Sequence, residues 1–267
     1  MFAERMKTSA IPERVFALCQ VLVSKDIAES DVKEKLEPSD LGGSTQYFGS
    51  VRDAARQLGL ISIKDGNKIG LVVDKKNVSN MTEMQKWIVM HIQNVQSSLF
   101  YAVTNAYMQL NEKVYQYKSV SDAELISQIG KSIGKQVIED DMRAWRFWSS
   151  YLGFGHLHKI NKASIAAELL IPNAMVYLGA VLETAVLEKK KEYSFEEFME
   201  RTEEYTDIIQ STSDKNLNMA FSYGLRGLHD SGSIKLEHRM DSDNMWYLYK
   251  DEMHEIVSAV SHITIRG

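Results

Sequence analysis

The sequence predicts a mainly α-helical chain in which tandem winged helix-turn-helix units are joined by a helical middle region. Three observations carry that expectation. The stretch IPERVFALCQVL from Ile11 returns 160 positions later as IPNAMVYLGAVL from Ile171, pairing Val15 with Met175, Leu18 with Leu178 and Leu22 with Leu182. Downstream, FGSVRDAARQLGLISI from Phe48 matches FSYGLRGLHDSGSIKL from Phe221, so that Gly59 falls on Gly232 and Ile61 on Ile234. In both copies a helical apolar stripe runs into a glycine and then into β-prone residues. Matches in the same order twice along one chain indicate a duplicated supersecondary unit.

In the first copy, Pro12 suits a first helical turn, where its missing N–H would be unpaired anyway. Val15, Phe16, Leu18, Cys19, Val21 and Leu22 then form an apolar face at helical spacing. ESDVKEKL predicts a short second helix with Ser30 as its N-cap, and PSDLGGS breaks the pattern. Ser44 can cap a third helix, TQYFGSVRDAARQLG, which Gly59 ends. Two β-prone runs flank Asp65-Gly66-Asn67, a hairpin signal because glycine takes positive φ without strain. The second copy predicts helices over NAMVYLGAVLETAVL, SFEEFMERTEEYTDII and NLNMAFSYGLRGLHDS. Strand SIKLEH, a turn around DSDN and strand MWYLYK are expected to close it.

Between the copies, Met81 to Leu110 reads as one long helix, striped by Trp87, Ile88, Ile92, Val95, Leu99 and Val103 with no Gly or Pro. SDAELISQIG follows as a helix with Ser121 as N-cap and Glu124 completing a capping box. A further helix spans Glu139 to Leu152, broken by Gly153 and Gly155 before a short strand. Helix, helix, helix, glycine, strand is the winged-helix order again, which admits a degenerate third copy. The expected organisation is therefore an N-terminal winged helix over 1–76, a helical middle region over 77–170 and a C-terminal winged helix over 171–267.

With 44% hydrophobic and 25% charged residues among 267, the chain has the composition of a globular protein rather than a disordered one. A single cysteine, Cys19, excludes an intramolecular disulfide or a cysteine-based zinc cluster, and its apolar neighbours predict a buried, inert thiol. Nothing approaches 18 uninterrupted apolar residues, so no membrane association and a cytoplasmic location are expected. The net charge of −5 argues against a broadly basic nucleic-acid binder. Residues 11–76 hold ten Lys or Arg against ten Asp or Glu, so DNA binding there requires a local basic face.

The stretch AWRFWSSYLGFGHL, set between two winged-helix segments, resembles the helical proteins of bacterial anti-phage defence islands, the DpdG-like class in particular. The resemblance covers most of the chain in layout. It implies a non-enzymatic subunit of a multi-protein antiviral defence complex acting on DNA, beside a nuclease, a helicase or a large ATPase. The chain is short for that class, and no residue with a known role there maps onto it. Paired winged helices in an acidic protein of this size are also similar in plan to the kite subunits of structural-maintenance-of-chromosomes (SMC) complexes, which grip a kleisin.

The sequence offers little chemistry. GxxxxGK[ST], HExxH and GxSxG are all missing, and Cys19 has no supporting histidine. His156 and His158 share one strand face but are too few for a closed zinc site, and a solvated edge is expected. Glu139, Asp140 and Asp141 lie in a first helical turn, where acids meet the helix dipole favourably, so a metal cluster is the lesser reading. The charge run EKKKE from Glu188 reads as a solvated connection. No catalytic residue, metal ligand or cofactor is expected.

For DNA, the third helix of the first unit would enter the major groove with Thr45 and Gln46 at base edges, while Arg52, Arg56, Lys64 and Lys68 meet phosphates. Asp53 and Asp65 oppose them. The C-terminal unit is acidic, and its expected wing strand carries Trp246, Tyr247 and Tyr249, which suits a protein partner. The expected role is a non-catalytic DNA-binding or assembly subunit of a defence complex. The alternatives are a transcriptional regulator, whose remaining chain would form a homodimer or an effector pocket, and a kite-like accessory subunit of an SMC-type ATPase complex.

Overall fold

A computed structural model of the chain describes residues 4–41, 47–162, 165–183, 187–210, 215–239 and 244–266. Over these residues the chain is mainly helical with small antiparallel sheets. The first unit runs α1 (Pro12–Leu22), β1 (Ile27–Ala28), α2 (Glu29–Leu36), α3 (Tyr47–Gln57), β2 (Ile61–Lys64) and β3 (Lys68–Leu71). Its sheet order is β1-β3-β2, with Ile27 opposite Ile69 and Lys64 opposite Lys68. Pro12 opens α1, and Val15, Leu18, Cys19 and Leu22 are buried along its inner face. Burial raises the Cys19 thiol to about 12, which keeps it an unreactive thiol at neutral pH. Ser30 does not cap α2. The preceding β1 passes directly into the helix, which places Ala28 at the N-cap position. The expected Ser44 cap lies outside the described residues.

Gly59 ends α3 at φ +73°, and Leu60 N–H reaches back to the Ala55 carbonyl at 2.9 Å. This is a Schellman closure, which needs a left-handed residue. The same helix–glycine–strand joint recurs twice. α7 (Glu139–Leu152) ends at Gly153, φ +84°, before β4 (Gly155–Lys162) and β5 (Ile165–Pro172). α10 (Met219–Asp230) is followed by Gly232, φ +77°, before β7 (Ile234–Glu237). Phe154 N–H to Ser149 O and Ser233 N–H to Leu228 O, both at 3.0 Å, repeat the backward bond.

The stretch from Met81 to Leu110 is not one helix. α4 (Met81–Met90) stops at His91, a 3-10 turn covers Ile92–Val95, and α5 (Leu99–Met108) starts afresh. His91 leaves helical geometry with its ring stacked on Trp87 at 3.6 Å, and the Ser98 hydroxyl accepts the Tyr101 N–H at 3.2 Å. A stacked histidine and a serine cap thus interrupt a segment that no Gly or Pro marks. α6 (Ala123–Ile133) follows, and its N-cap is Asp122 rather than Ser121, the carboxylate accepting Glu124 N–H at 3.0 Å. The expected short strand after Gly155 is one arm of an eight-residue-per-strand hairpin. Before α6, Val120 N–H donates to Glu168 O of β5 at 2.9 Å, the place where β1 pairs in the first unit. So α5, α6, α7 and the β4–β5 hairpin repeat the order of the first unit, with one bond in place of its short first strand.

The last unit comprises α8 (Met175–Leu182), β6 (Glu192–Ser194), α9 (Phe195–Thr206), α10 and β7. Ile171-Pro172 closes β5 instead of opening α8, so the hairpin strand runs two residues past the expected start of the third segment. β7 does not pair with MWYLYK. Its partner is β10 (His262–Ile265), giving the order β6-β10-β7 with Ile263 opposite Leu236. This matches β1-β3-β2, but with the hairpin widened by an insertion. The inserted chain holds β8 (Trp246–Tyr247) paired with β9 (Ala259–Val260), and residues 241–243 of the expected turn lie outside the described residues.

One buried apolar cluster runs through all three units. Trp148 Nε1 donates to Ala10 O at 2.7 Å, Tyr107 OH to Leu170 O at 2.8 Å, and Asn105 Nδ2 to Asp207 O at 3.0 Å. The Asp141 carboxylate, fully buried, accepts from Met6 N–H and Arg5 Nη1, both at 2.8 Å, and from Ile138 N–H at 3.1 Å. The acidic first turn of α7 is therefore a clamp on the N-terminal segment, as well as a match to the helix dipole.

Candidate nucleic-acid interface

Of the three described helices that pass through a left-handed glycine into a strand, α3 keeps an open face with no acid in its first turn. Phe48, Val51, Ala54 and Ala55 point into the core, while Tyr47 and Arg56 are exposed, and a Cβ built on Gly49 would meet nothing within 4 Å. In α10 the first turn is itself buried, together with Ser222, Gly224 and Arg226. α7 turns Trp145, Trp148 and Leu152 inward and shows Glu139 and Asp140 outward. Its arginines are matched internally, Arg143 by Glu139 and Arg146 by Glu168. Acidic or buried first turns do not suit a phosphate backbone.

The hairpin beside α3 is set by its turn. Gly66 and Asn67 take φ +71° and +53°, and Asn67 O accepts the Glu29 N–H at 2.9 Å, which ties the tip to the start of α2. Lys64 and Lys68 consequently stand opposite each other at the base of the turn.

The four predicted cations divide into two pairs. Arg52 is held by Glu29 and by Asp53 at 2.9 Å, and Lys64 by Asp26 at 2.7 Å. A Cβ on Gly70 would lie 2.1 Å from Asp26 Oδ1, so the glycine is what lets that carboxylate cross the sheet to Lys64. Arg56 and Lys68 are exposed and have no ion-pair partner among the described residues, and exposed Lys75 joins them. The face therefore offers about half the free positive charge expected of it. Asp26 and Glu29 were not recognised from sequence, because their partners lie 38 and 23 residues away and only the fold brings them together. Thr45 and Gln46 lie outside the described residues.

The aromatic strand also divides. Trp246 is 5% exposed: its Nε1 donates to Glu196 at 2.9 Å and its ring packs on Phe195, so it is core and not a partner-binding residue. Lys215, which donates to the same Glu196 oxygen at 2.6 Å, and the indole N–H together hold that carboxylate below the usual range. Tyr249 is half-buried, edge-on to Tyr223, with its hydroxyl on Glu112. Tyr247 alone of the three is well exposed, at 50%.

Two histidines and two carboxylates meet in a reciprocal arrangement: His229 with Glu255, and His254 with Asp230 at 3.0 Å. His229 Nδ1 accepts Leu236 N–H and His254 Nδ1 accepts Ile256 N–H, both at 2.9 Å. Each ring therefore carries its proton on Nε2, facing the carboxylate, with no lone pair left there for a cation. Among the described residues no group of three His, Cys, Asp or Glu is placed to hold a metal ion, and no helix is long and apolar enough to cross a membrane. His156 and His158 are exposed on β4. No protein-family model, curated protein or solved structure matches the chain.

Proposed function

We propose that the protein is a non-catalytic DNA-binding and assembly subunit built from winged-helix units, with the first unit on the duplex and the last toward protein partners. The observation that carries this is the asymmetry of the three third helices. α3 alone has an outer face with no acid in its first turn and an arginine, Arg56, unpaired among the described residues, beside a lysine-bearing hairpin, while the exposed face of α7 is acidic and ion-paired and the first turn of α10 is buried. Winged helices that contact DNA present this helix to the groove and the hairpin to the backbone. Membership of an antiviral defence complex is supported by the resemblance of AWRFWSSYLGFGHL alone, and packing accounts for much of that stretch. Trp145, Trp148, Leu152 and Phe154 are core, Gly153 is left-handed, and a Cβ on Gly155 would strike Ile171 O at 2.2 Å.

The test is duplex binding by the full chain, followed by anisotropy across a salt series. Changing Arg56 and Lys68 together to Glu is expected to weaken binding and to reduce the log–log salt slope by roughly 0.9 for each phosphate no longer engaged. Asp26→Asn, which frees Lys64, is expected to strengthen binding. A parent that shows no salt-sensitive binding, or a double variant that binds like the parent, removes DNA contact from the reading.

The assembly half draws on the inserted chain of the last unit, which exposes Tyr247 at 50% and Met253 at 95%. Exposed aromatic and Met side chains are typical anchors of interfaces. Tyr247→Ala with Met253→Ser is expected to release whatever protein copurifies with the parent, at unchanged circular dichroism. Undiminished copurification would leave this strip an ordinary surface.

A further inference from the structure

The first unit contains a cleft of about 290 Å³ between α1, the end of α2 and the start of α3. That is close to the lower end of small-molecule sites, which run from about 300 to 1,000 Å³. Leu36, Phe48 and Val51 give it apolar walls, Tyr47 an aromatic one, and Arg14 and Glu37 opposite charges. Such an apolar cleft with a few polar groups differs in kind from the outer face of α3.

The two charged groups are not used on each other. Both Glu37 carboxylate oxygens are shut off from solvent and accept no hydrogen bond from the described residues. The neighbouring Glu34 takes the donors at hand, Ser39 N–H at 2.9 Å and Ser39 Oγ at 3.0 Å. Pro38 keeps Glu37 out of helical backbone, at ψ 74°, so α2 ends at Leu36. Arg14 lies over the Tyr47 ring, 4.1 Å from its centroid, and among the described residues only its Nη1 donates, to Ser9 O at 2.8 Å. A desolvated carboxylate without a donor is among the costliest placements a fold can hold, and it is retained where something else supplies the donor. An unpaired anion and a guanidinium with spare donors, flanking one apolar cleft, complement a molecule that carries both charges and an apolar body.

We propose that this cleft binds a small zwitterion, an α-amino acid with an apolar side chain. Its carboxylate accepts from Arg14, its side chain lies against Leu36, Phe48 and Val51, and its ammonium group draws the Glu37 carboxylate, closed off from solvent in the unliganded chain, round into the cleft. The assignment is independent of the DNA reading, although the ligand would touch the inner side of the helix whose outer side carries Arg56.

Isothermal titration of the full chain with L-leucine, L-methionine and L-phenylalanine, and with the N-acetyl and amide derivatives of each, tests it. At least one free amino acid is expected to bind, and blocking either its amine or its carboxylate is expected to cost about tenfold or more, as is usual for a lost charge-assisted hydrogen bond. Glu37→Gln and Arg14→Met are each expected to impose a loss of the same order. A second readout separates ligand binding from folding: Glu37→Gln removes an unpartnered buried charge and is expected to raise the melting temperature of the unliganded protein. The proposal is overturned if none of the three amino acids binds or if the amides bind as well as the free acids. It is equally overturned if Glu37→Gln keeps full affinity or lowers the unliganded melting temperature.

Discussion

Asp141→Ala is expected to destabilise the protein by about 2–4 kcal/mol, because it strands the buried Met6 amide and removes the cap of α7 together. The carboxylate is fully buried and accepts the main-chain N–H groups of Met6 and Ile138 together with Arg5 Nη1. Removing it leaves the Met6 amide unpaired inside the fold and uncaps the first turn of α7 at once. Arg5→Ala, by contrast, removes a side chain that is 37% exposed and is expected to cost about 1 kcal/mol or less, since water replaces what it loses. Urea unfolding at constant slope measures both changes. Equal and small shifts for the two variants would mean that Asp141 is not the clamp, and that the N-terminal segment is held by apolar contacts alone.

That aspartate also shows what a sequence discloses and what it conceals. Its place in an acidic first turn was legible, because the helix dipole explains three acids at a helix start. Its partners were not, since Met6 and Arg5 lie 135 and 136 residues away. The same division runs through the fold. The Asp65-Gly66-Asn67 turn, the bounds of α7 and the match of Gly59 with Gly232 follow from local backbone preferences, and the structure has all of them. The break at His91 was hidden because ring stacking and a serine cap leave no Gly or Pro behind. The partner of β7 was hidden because an insertion with its own small sheet carries the aromatic run MWYLYK away from it. At the proposed DNA face, the cations could be read from the sequence but their neutralisation could not. Arg52 and Lys64 lose their free charge to acids placed by β1 and α2, elements whose position no local pattern specifies.

Trp145→Ala is expected to cost about 3–5 kcal/mol, the range for emptying a large aromatic site in a packed core. The indole is fully buried, tilted against Tyr107 at 4.5 Å, and its Nε1 donates to Thr104 Oγ1 at 2.9 Å. Thr104 in turn donates to Phe100 O at 2.8 Å, and Tyr107 OH reaches Leu170 O of β5. One side chain thus joins α7 to α5, and through Tyr107 to the β4–β5 hairpin. Trp145→Phe keeps most of the volume and is expected to lose about 1–3 kcal/mol, which reflects the missing N–H and the smaller ring. Both variants belong in one denaturation series with a binding assay at a temperature where each stays folded. If Trp145→Phe is destabilised yet leaves the binding measured for the parent unchanged, the aromatic stretch AWRFWSSYLGFGHL is architecture that sets how the middle unit packs. If instead Trp145→Ala remains as stable as the parent while binding is lost, the stretch carries function directly. A fully buried ring can do that only if α7 moves to expose it, which the hydrogen bond to Thr104 opposes.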